Sequence, residues 1–268
     1  MKLILMGTND FVVPVFDALH MKHDIVSVFT RAPAPTGRKQ ILTPSPVQVW
    51  AEKNNIPVHN KIREFKPDGA DYVVVISYGV IIPDDILAQS KFINIHPSAL
   101  PKYRGPSPIR TAIKNGDNSS AVCMMKMTHE CDAGDIYMCR EFDIDANDTN
   151  ETVENKVSEI SIEMLNEFLA NPEKYSPIPQ TGTPTHTKKF TGADEVIDWK
   201  MSPLEIHNLV RALGAGRTKI NGTDVKILKT EIENGNLKIL ELQPAGKKPM
   251  DWNSFTNGLR GAEIKFGE

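Results

Sequence analysis

An alternation in the first 95 residues constrains the fold most. Short runs that are apolar throughout take turns with stretches of helical spacing. The runs are residues 2–6, 24–30, 71–77 and 91–95, the third reading Asp-Tyr-Val-Val-Val-Ile-Ser. A strand that is apolar on both faces must be covered on both, which is the environment of a parallel sheet between helical layers. Between the runs, residues 11–20 put Phe11, Val15 and Leu19 on one helical face. Residues 43–54 carry Pro44 and Pro46, and a first helical turn tolerates proline. Residues 84–89 suit a short helix. This order predicts an α/β fold with a doubly wound, mostly parallel sheet.

The pattern changes after residue 120. Residues 121–127 and 135–142 read as strands, and 151–169 as an amphipathic helix with Val153, Val157, Ile160, Met164 and Phe168 near helical spacing. Residues 171–187 hold Pro172, Pro177, Pro179 and Pro184, which marks a linker or an extended crossing. A helix at 203–213 follows, then strand-like runs at 218–220, 225–229 and 237–242. Asn221-Gly222 and Asn234-Gly235 supply the residues of two-residue hairpin turns. The expected organisation is a larger α/β domain over 1–178, a linker over 179–192, and a small β-rich domain over 193–268.

The 268 residues have ordinary globular composition, with a net charge of −3 that names no partner. Cys123, Cys131 and Cys139 are odd in number and form no CxxC pair. Free thiols in a reducing compartment are therefore expected, with neither a disulfide framework nor a closed zinc site. No apolar run reaches transmembrane length. The start runs straight into a strand pattern without the regions of a signal peptide, so the cytoplasm is expected.

Gly7 ends the first strand where nucleotide-binding folds place a phosphate loop. It stands without the two further glycines of the dinucleotide fingerprint, which disfavours a nicotinamide oxidoreductase. The most informative stretch is 92–105, Phe-Ile-Asn-Ile-His-Pro-Ser-Ala-Leu-Pro-Lys-Tyr-Arg-Gly. Asn94 and His96 are two apart at the end of a strand, so alternation puts them on one face. Ligands bind at the carboxyl ends of strands in such sheets. An imidazole can move protons near neutral pH, and an amide can donate to a developing oxyanion, a combination suited to acyl-type transfer. A structural histidine satisfied by backbone fits the same residue equally well. Asp132 lies in a turn marked by Gly134, where a carboxylate commonly just forms the turn; it could also orient His96. Arg38 and Lys39 sit in a Pro-rich loop that reads as solvated or as a basic arm on a phosphate backbone. Lys188-Lys189 and Lys247-Lys248 add basic pairs, and residues 186–268 hold 13 Lys and Arg against 11 Asp and Glu.

The stretch from Asn94 to Asp117 resembles the signature of the 10-formyltetrahydrofolate-dependent formyltransferases. It has Asn-x-His-Pro-Ser, then Leu-Pro-x-Tyr-Arg-Gly-x-x-Pro-Ile, then Asn-Gly-Asp. Within that family, further runs resemble the branch that formylates methionyl-tRNA: Gly37-Arg38-Lys39 with Leu42–Val47, Ser77-Tyr78-Gly79 with Ile82-Pro83, Ile197-Asp198-Trp199, and Gln243-Pro244-Ala245-Gly246-Lys247-Lys248. The chain departs at Ala99, where Leu is usual, at Arg110, often Gln, and around 211–217, which is compressed; its C-terminal part is shorter than is typical.

The resemblance implies a Rossmann-like domain followed by a small β-rich, OB-like barrel. It implies Asn94, His96 and Asp132 as catalytic residues, the last through its Asp-x-Gly context. It further implies 10-formyltetrahydrofolate as co-substrate, lying against Tyr78, Gly79, Val80, Ile81, Ile82 and the turn Ser98, Ala99, Leu100 and Pro101. Arg38, Lys39, Lys189, Lys247 and Lys248 are implied to touch the initiator methionyl-tRNA, in a reaction of translation initiation. No metal is implied, and a monomer is expected. The rival within the family is a sugar-nucleotide amine N-formyltransferase, which shares the catalytic trio. The rival from another class is a non-catalytic RNA-binding scaffold.

Overall fold

A computed structural model describes residues 1–37 and 39–267. In chain order the elements are β1 (Lys2–Gly7), α1 (Val13–His20), β2 (Asp24–Phe29), β3 (Ala34–Thr36), β4 (Ile41–Thr43), α2 (Pro46–Lys53) and β5 (Val58–His59). There follow β6 (Tyr72–Ile76), α3 (Asp84–Leu87), β7 (Phe92–His96), α4 (Pro108–Asn115), β8 (Ser119–Lys126), β9 (Ile136–Asp143) and α5 (Asn150–Ala170). The chain ends with α6 (Pro203–Leu213), β10 (Gly216–Ile220), β11 (Thr223–Glu233), β12 (Asn236–Pro244), β13 (Met250–Asp251) and α7 (Trp252–Gly258). It divides into two compact units. The first holds Met1–Pro106, Ala121–Phe142 and Glu154–His186; the second holds Ser107–Ser120, Asp143–Val153 and Thr187–Glu268.

The first unit carries a seven-stranded sheet in the order β5-β2-β1-β6-β7-β8-β9. β1 pairs parallel with β2 and β6, as do β2 with β5 and β6 with β7. β8 runs antiparallel to β7. Every residue of β6 and β7 is buried, as the continuous apolar runs require. The chain leaves β1 in one direction, to β2 and β5, and returns on the other side to β6 and β7. The topological switch therefore lies between β1 and β6, where open α/β sheets bind ligands. Two hydrogen bonds join the loops there: Thr8 Oγ1 donates to Tyr78 O at 3.0 Å, and Asn9 Nδ2 to Ser77 Oγ at 2.8 Å. The helices expected at 11–20 and 43–54 form over shorter spans. The first opens with a 3₁₀ turn at Asp10–Val12. The second starts at Pro46 because Ser45 Oγ caps it, accepting from Gln48 N at 3.0 Å.

The cysteines require a correction. Three free thiols are expected from the sequence, whereas the structure joins Cys123 on β8 to Cys139 on β9 and leaves only Cys131 free. The two Cα atoms are 4.1 Å apart, close to the spacing of directly opposed residues on neighbouring antiparallel strands. Lys126 N donates to Asp135 O further along the same two strands, so the contacts run in opposite senses, as in a hairpin. An odd count and the absence of CxxC say nothing about a pair that strand register brings together.

In the second unit α6 packs against α4 and against β10, β11 and β12. Its Ile206, Leu209 and Val210 join Ile220, Val225, Ile227, Leu242 and Phe255 in one apolar core. Ser202 and Glu205 form a full capping box at its start. The four strands make an antiparallel sheet in the order β10-β11-β12-β13. Asn221-Gly222 and Asn234-Gly235 form its two tight turns, with all four residues at positive φ, between 48° and 80°. Such turns match the twist of the strands they join. The sequence reading gives no helix at 108–115. The structure forms one there, burying Ile109, Ala112 and Ile113 and ending on left-handed Gly116.

Candidate active site

β7 carries Asn94 and His96 to the carboxyl edge of the sheet, on one face. In register they lie opposite Met125 and Cys123 of β8. Both are buried, at 9% and 4% exposure. Pro97 stops the strand, and the chain turns back through Ser98, whose hydroxyl donates to Lys102 O at 2.6 Å. That turn brings Tyr103 O to 2.9 Å from His96 Nε2. The other ring nitrogen, Nδ1, faces Asp132 Oδ1 at 3.5 Å. Both neighbours are acceptors, so whichever ring nitrogen carries the hydrogen has a partner.

Asp132 belongs to the loop between β8 and β9 and sits at φ 53°. Aspartate is one of the few non-glycine residues that take this left-handed conformation readily in a turn. Its Oδ1 also accepts from Asn94 Nδ2 at 3.3 Å, and its Oδ2 from Gly105 N at 2.7 Å. Cys131 Sγ points at the same Oδ2, at 3.3 Å. Desolvation first, and then the Asp132 charge and hydrogen bond, push the Cys131 thiol up to about 11. An amide, an imidazole and a carboxylate thus converge on one another. Together they offer a hydrogen-bond donor, a proton carrier and a group that can hold both in place.

The residues expected beside a folate flank this cluster. β6 and β7 pair through Ile76 and Ile95, so the loops after them emerge side by side. Tyr78 and Ile82 are buried in the apolar cluster around Val75, Ile86 and Phe92, while Val80 and Ile81 are exposed, Ile81 at 89%. Burial pushes the Tyr78 phenol up to about 12. Gly79 takes φ 75°, which a side chain would strain. Ser98 is buried, and Ala99, Leu100 and Pro101 complete the turn after β7. A depression lined by Pro67, Ala70, Asp71, Ala88 and Lys91 lies at the amino ends of β6 and β7, opposite to Asn94 and His96. It is no part of this site.

The basic residues fall in both units. Lys39 lies in the turn of the β3–β4 hairpin, beside exposed Ile41 and Leu42; Arg38 lies outside the described residues. Lys189, Lys247 and Lys248 are exposed in the second unit. Lys247 follows left-handed Gly246 in a turn closed by Gln243 Nε2 donating to Lys247 O at 2.9 Å. Among the described residues no His, Cys, Asp or Glu group is arranged to hold a metal ion, and no helix is long and apolar enough to cross a membrane.

Sequence reasoning did not assign the backbone partners Tyr103 O and Gly105 N, nor Gln180. Tyr103 and Gly105 lie within the Tyr-Arg-Gly run, so their signal was present without a role. Gln180 has no local signal, because its partners are 46 to 76 residues away.

Comparison with known proteins shows the family. The family model described as formyl transferase matches residues 1–169, and the model for the formyl transferase C-terminal domain matches residues 189–236. A methionyl-tRNA formyltransferase of Coprothermobacter proteolyticus is 34% identical, with both chains covered in full. That of Rickettsia massiliae is 33% identical, covering 98% of each. Among solved structures, a methionyl-tRNA formyltransferase from Clostridium thermocellum matches with a TM-score of 0.67 at 18% identity, covering 91% of this chain and 98% of that one. An N-formyltransferase from Helicobacter canadensis matches with a TM-score of 0.69 at 21% identity, covering 87% and 88%. At those identities the structures speak for the fold alone, a Rossmann-like sheet followed by an antiparallel one. The curated relatives and the family model carry the assignment, and the chain belongs to the formyl transferase family of enzymes.

Proposed function

We infer that the protein transfers the formyl group of 10-formyltetrahydrofolate to the α-amine of initiator methionyl-tRNA, in the cytoplasm, for translation initiation. The observation that carries this reading is the meeting of Asn94, His96 and Asp132 within 3.3–3.5 Å at the carboxyl edge of β7. Full-length similarity to methionyl-tRNA formyltransferases supports the acceptor. The exposed apolar side chains of Val80 and Ile81, beside buried Tyr78 and Ile82, suit the flat ring of a folate.

The folate supplies the formyl carbon; attack by the amine puts negative charge on the formyl oxygen of a tetrahedral intermediate, and the charge returns to the carbonyl as the bond to N10 breaks. Asn94 Nδ2 donates to that oxygen, and an N–H of His96 is a second donor. His96 takes a proton from the attacking amine and returns one to the departing nitrogen. Asp132 holds the imidazole and the amide in register. Residues 1–178 carry this chemistry. Residues 193–268 hold the tRNA with Lys247 and Lys248, Lys189 of the linker 179–192 touches it too, and so do Arg38 and Lys39 of the Pro-rich stretch after the second strand.

The test is transfer of labelled formyl from 10-formyltetrahydrofolate to methionyl-initiator-tRNA, with uncharged tRNA and an amino-sugar nucleotide as parallel acceptors. Label on methionyl-tRNA that disappears with His96→Ala is the expected result. Label on the amino sugar alone overturns the acceptor and keeps the chemistry. No transfer by folded protein points to a binding scaffold.

A further inference from the structure

The loop that carries Asp132 is held in place by a residue outside every recognised motif. Gln180 lies in the Pro-rich segment that reads as a linker or crossing, and this segment is tied to the first unit. Ile178 exchanges backbone hydrogen bonds with Ile136, and Thr185 bonds Pro101, Tyr103 and Arg104. Between those anchors, Gln180 Nε2 donates to Asp132 O at 2.8 Å and to Gly134 O at 2.9 Å. Its Oε1 accepts from Arg104 Nη2 at 2.8 Å and Nε at 3.1 Å. Two N–H donors and two acceptor sites are all that a carboxamide has, and all four are used. The opposite amide orientation would set N–H against guanidinium and oxygen against carbonyl, so the partners fix its direction.

The consequence reaches the reacting atoms through the backbone. Gln180 grips the loop on both sides of Ala133. Gly134 is pressed so closely on Lys126 O that a Cβ would lie 1.8 Å from it. Arg104 is 8% exposed and ties the same loop again through Glu130 Oε1 at 2.9 Å. Its neighbour Gly105 donates to Asp132 Oδ2. Arg104 and Gln180 therefore couple the turn after β7 to the Asp132 loop and fix where Oδ1 stands relative to His96 and Asn94.

We propose that Gln180 is a positioning residue for formyl transfer, acting through Asp132 by its hydrogen bonds to the carbonyls of Asp132 and Gly134. The proposal rests on the placement of Asp132 in the reacting centre argued above. Displacing a reacting group by about 1 Å can cost about 10²-fold in rate.

The experiment is a double-mutant cycle of Gln180→Leu and Asp132→Asn in the full-length enzyme, reading kcat, KM for both substrates and the pH profile of kcat. Gln180→Leu is expected to lower kcat about 10- to 100-fold, to leave both KM values within about twofold, and to give the pH profile of Asp132→Asn. Added to Asp132→Asn it is expected to cost nothing further, because it acts through that residue. Fully additive losses, or a changed KM with unchanged kcat, overturn the proposal. If the Leu variant does not fold, Gln180→Glu decides. That variant keeps the acceptor for Arg104 and loses the donors to the carbonyls, and wild-type kcat in it overturns the proposal. If instead Asp132→Asn itself transfers formyl at the wild-type rate, the reading of the site fails, whatever Gln180 does.

Discussion

Asn94 Nδ2 stands 3.3 Å from Asp132 Oδ1, although 38 positions of chain separate the two residues. The same oxygen faces His96 Nδ1 at 3.5 Å. One carboxylate thus braces the amide and the imidazole together. Asn94→Ala and His96→Ala are each expected to lower kcat by about 10²–10³, with little change in KM for the folate. The double variant is expected to lose far less than the product of the two effects, because the groups act as a unit. Steady-state kinetics of the three proteins check this, and a loss below about tenfold in either single variant contradicts the assignment.

Gly134→Ala is expected to be both destabilising and inactivating. The added methyl would meet Lys126 O, a backbone atom that cannot swing aside. Overpacking of this kind costs about 1–3 kcal/mol. Thermal unfolding should show a lower Tm, and kcat should fall with it as the Asp132 loop shifts. A variant with wild-type Tm and activity would mean that the loop sits elsewhere.

The cysteines can be counted directly. Thiol titration of the denatured, unreduced protein should find one thiol, Cys131, and three after reduction. In the folded protein Cys131 should react slowly with iodoacetamide at neutral pH, and its rate should climb steeply only as pH approaches about 11. Fast alkylation at pH 7 would show that the thiol does not lie against Asp132.

His207 gives the second unit a dependence on pH. It is buried between Thr230 Oγ1 at 2.9 Å and Ala146 O at 3.1 Å, and burial, partly opposed by the Ala146 bond, lowers its pKa. The fold therefore favours the neutral ring. Its contribution is complete above the unfolded value of 6.5 and is lost as pH falls from there towards the lowered folded value. Tm measured between pH 7.5 and 5.5 should drop less in His207→Gln than in the wild type. Parallel curves would assign the acid sensitivity to other groups.

Binding of tRNA should weaken with salt. Each phosphate contact removed lowers the slope of log K against log salt by about 0.7–0.9. Lys247→Ala with Lys248→Ala is expected to reduce the slope by up to twice that amount, while kcat at saturating tRNA is unchanged. An unaltered slope would take these lysines out of the interface.

Much of the architecture is legible in the residues themselves. The continuous apolar runs of β1, β6 and β7 announce a sheet covered on both faces. Asn221-Gly222 and Asn234-Gly235 announce two hairpins, because few other pairs take two successive positive φ values. The motif from Asn94 to Gly105 announces the family. These are local properties: a strand's face, a turn's dihedral angles and a motif's spacing are all set within a few residues.

What the sequence could not decide lies between distant segments. The Cys123–Cys139 pair depends on the register of two strands. The carbonyl that meets His96 depends on how the turn after Pro97 folds back. The grip of Gln180 on Asp132 depends on where a Pro-rich crossing is laid. A hydrogen bond or a disulfide needs its partners placed to within a fraction of an ångström, and only the packing of the whole chain supplies that precision.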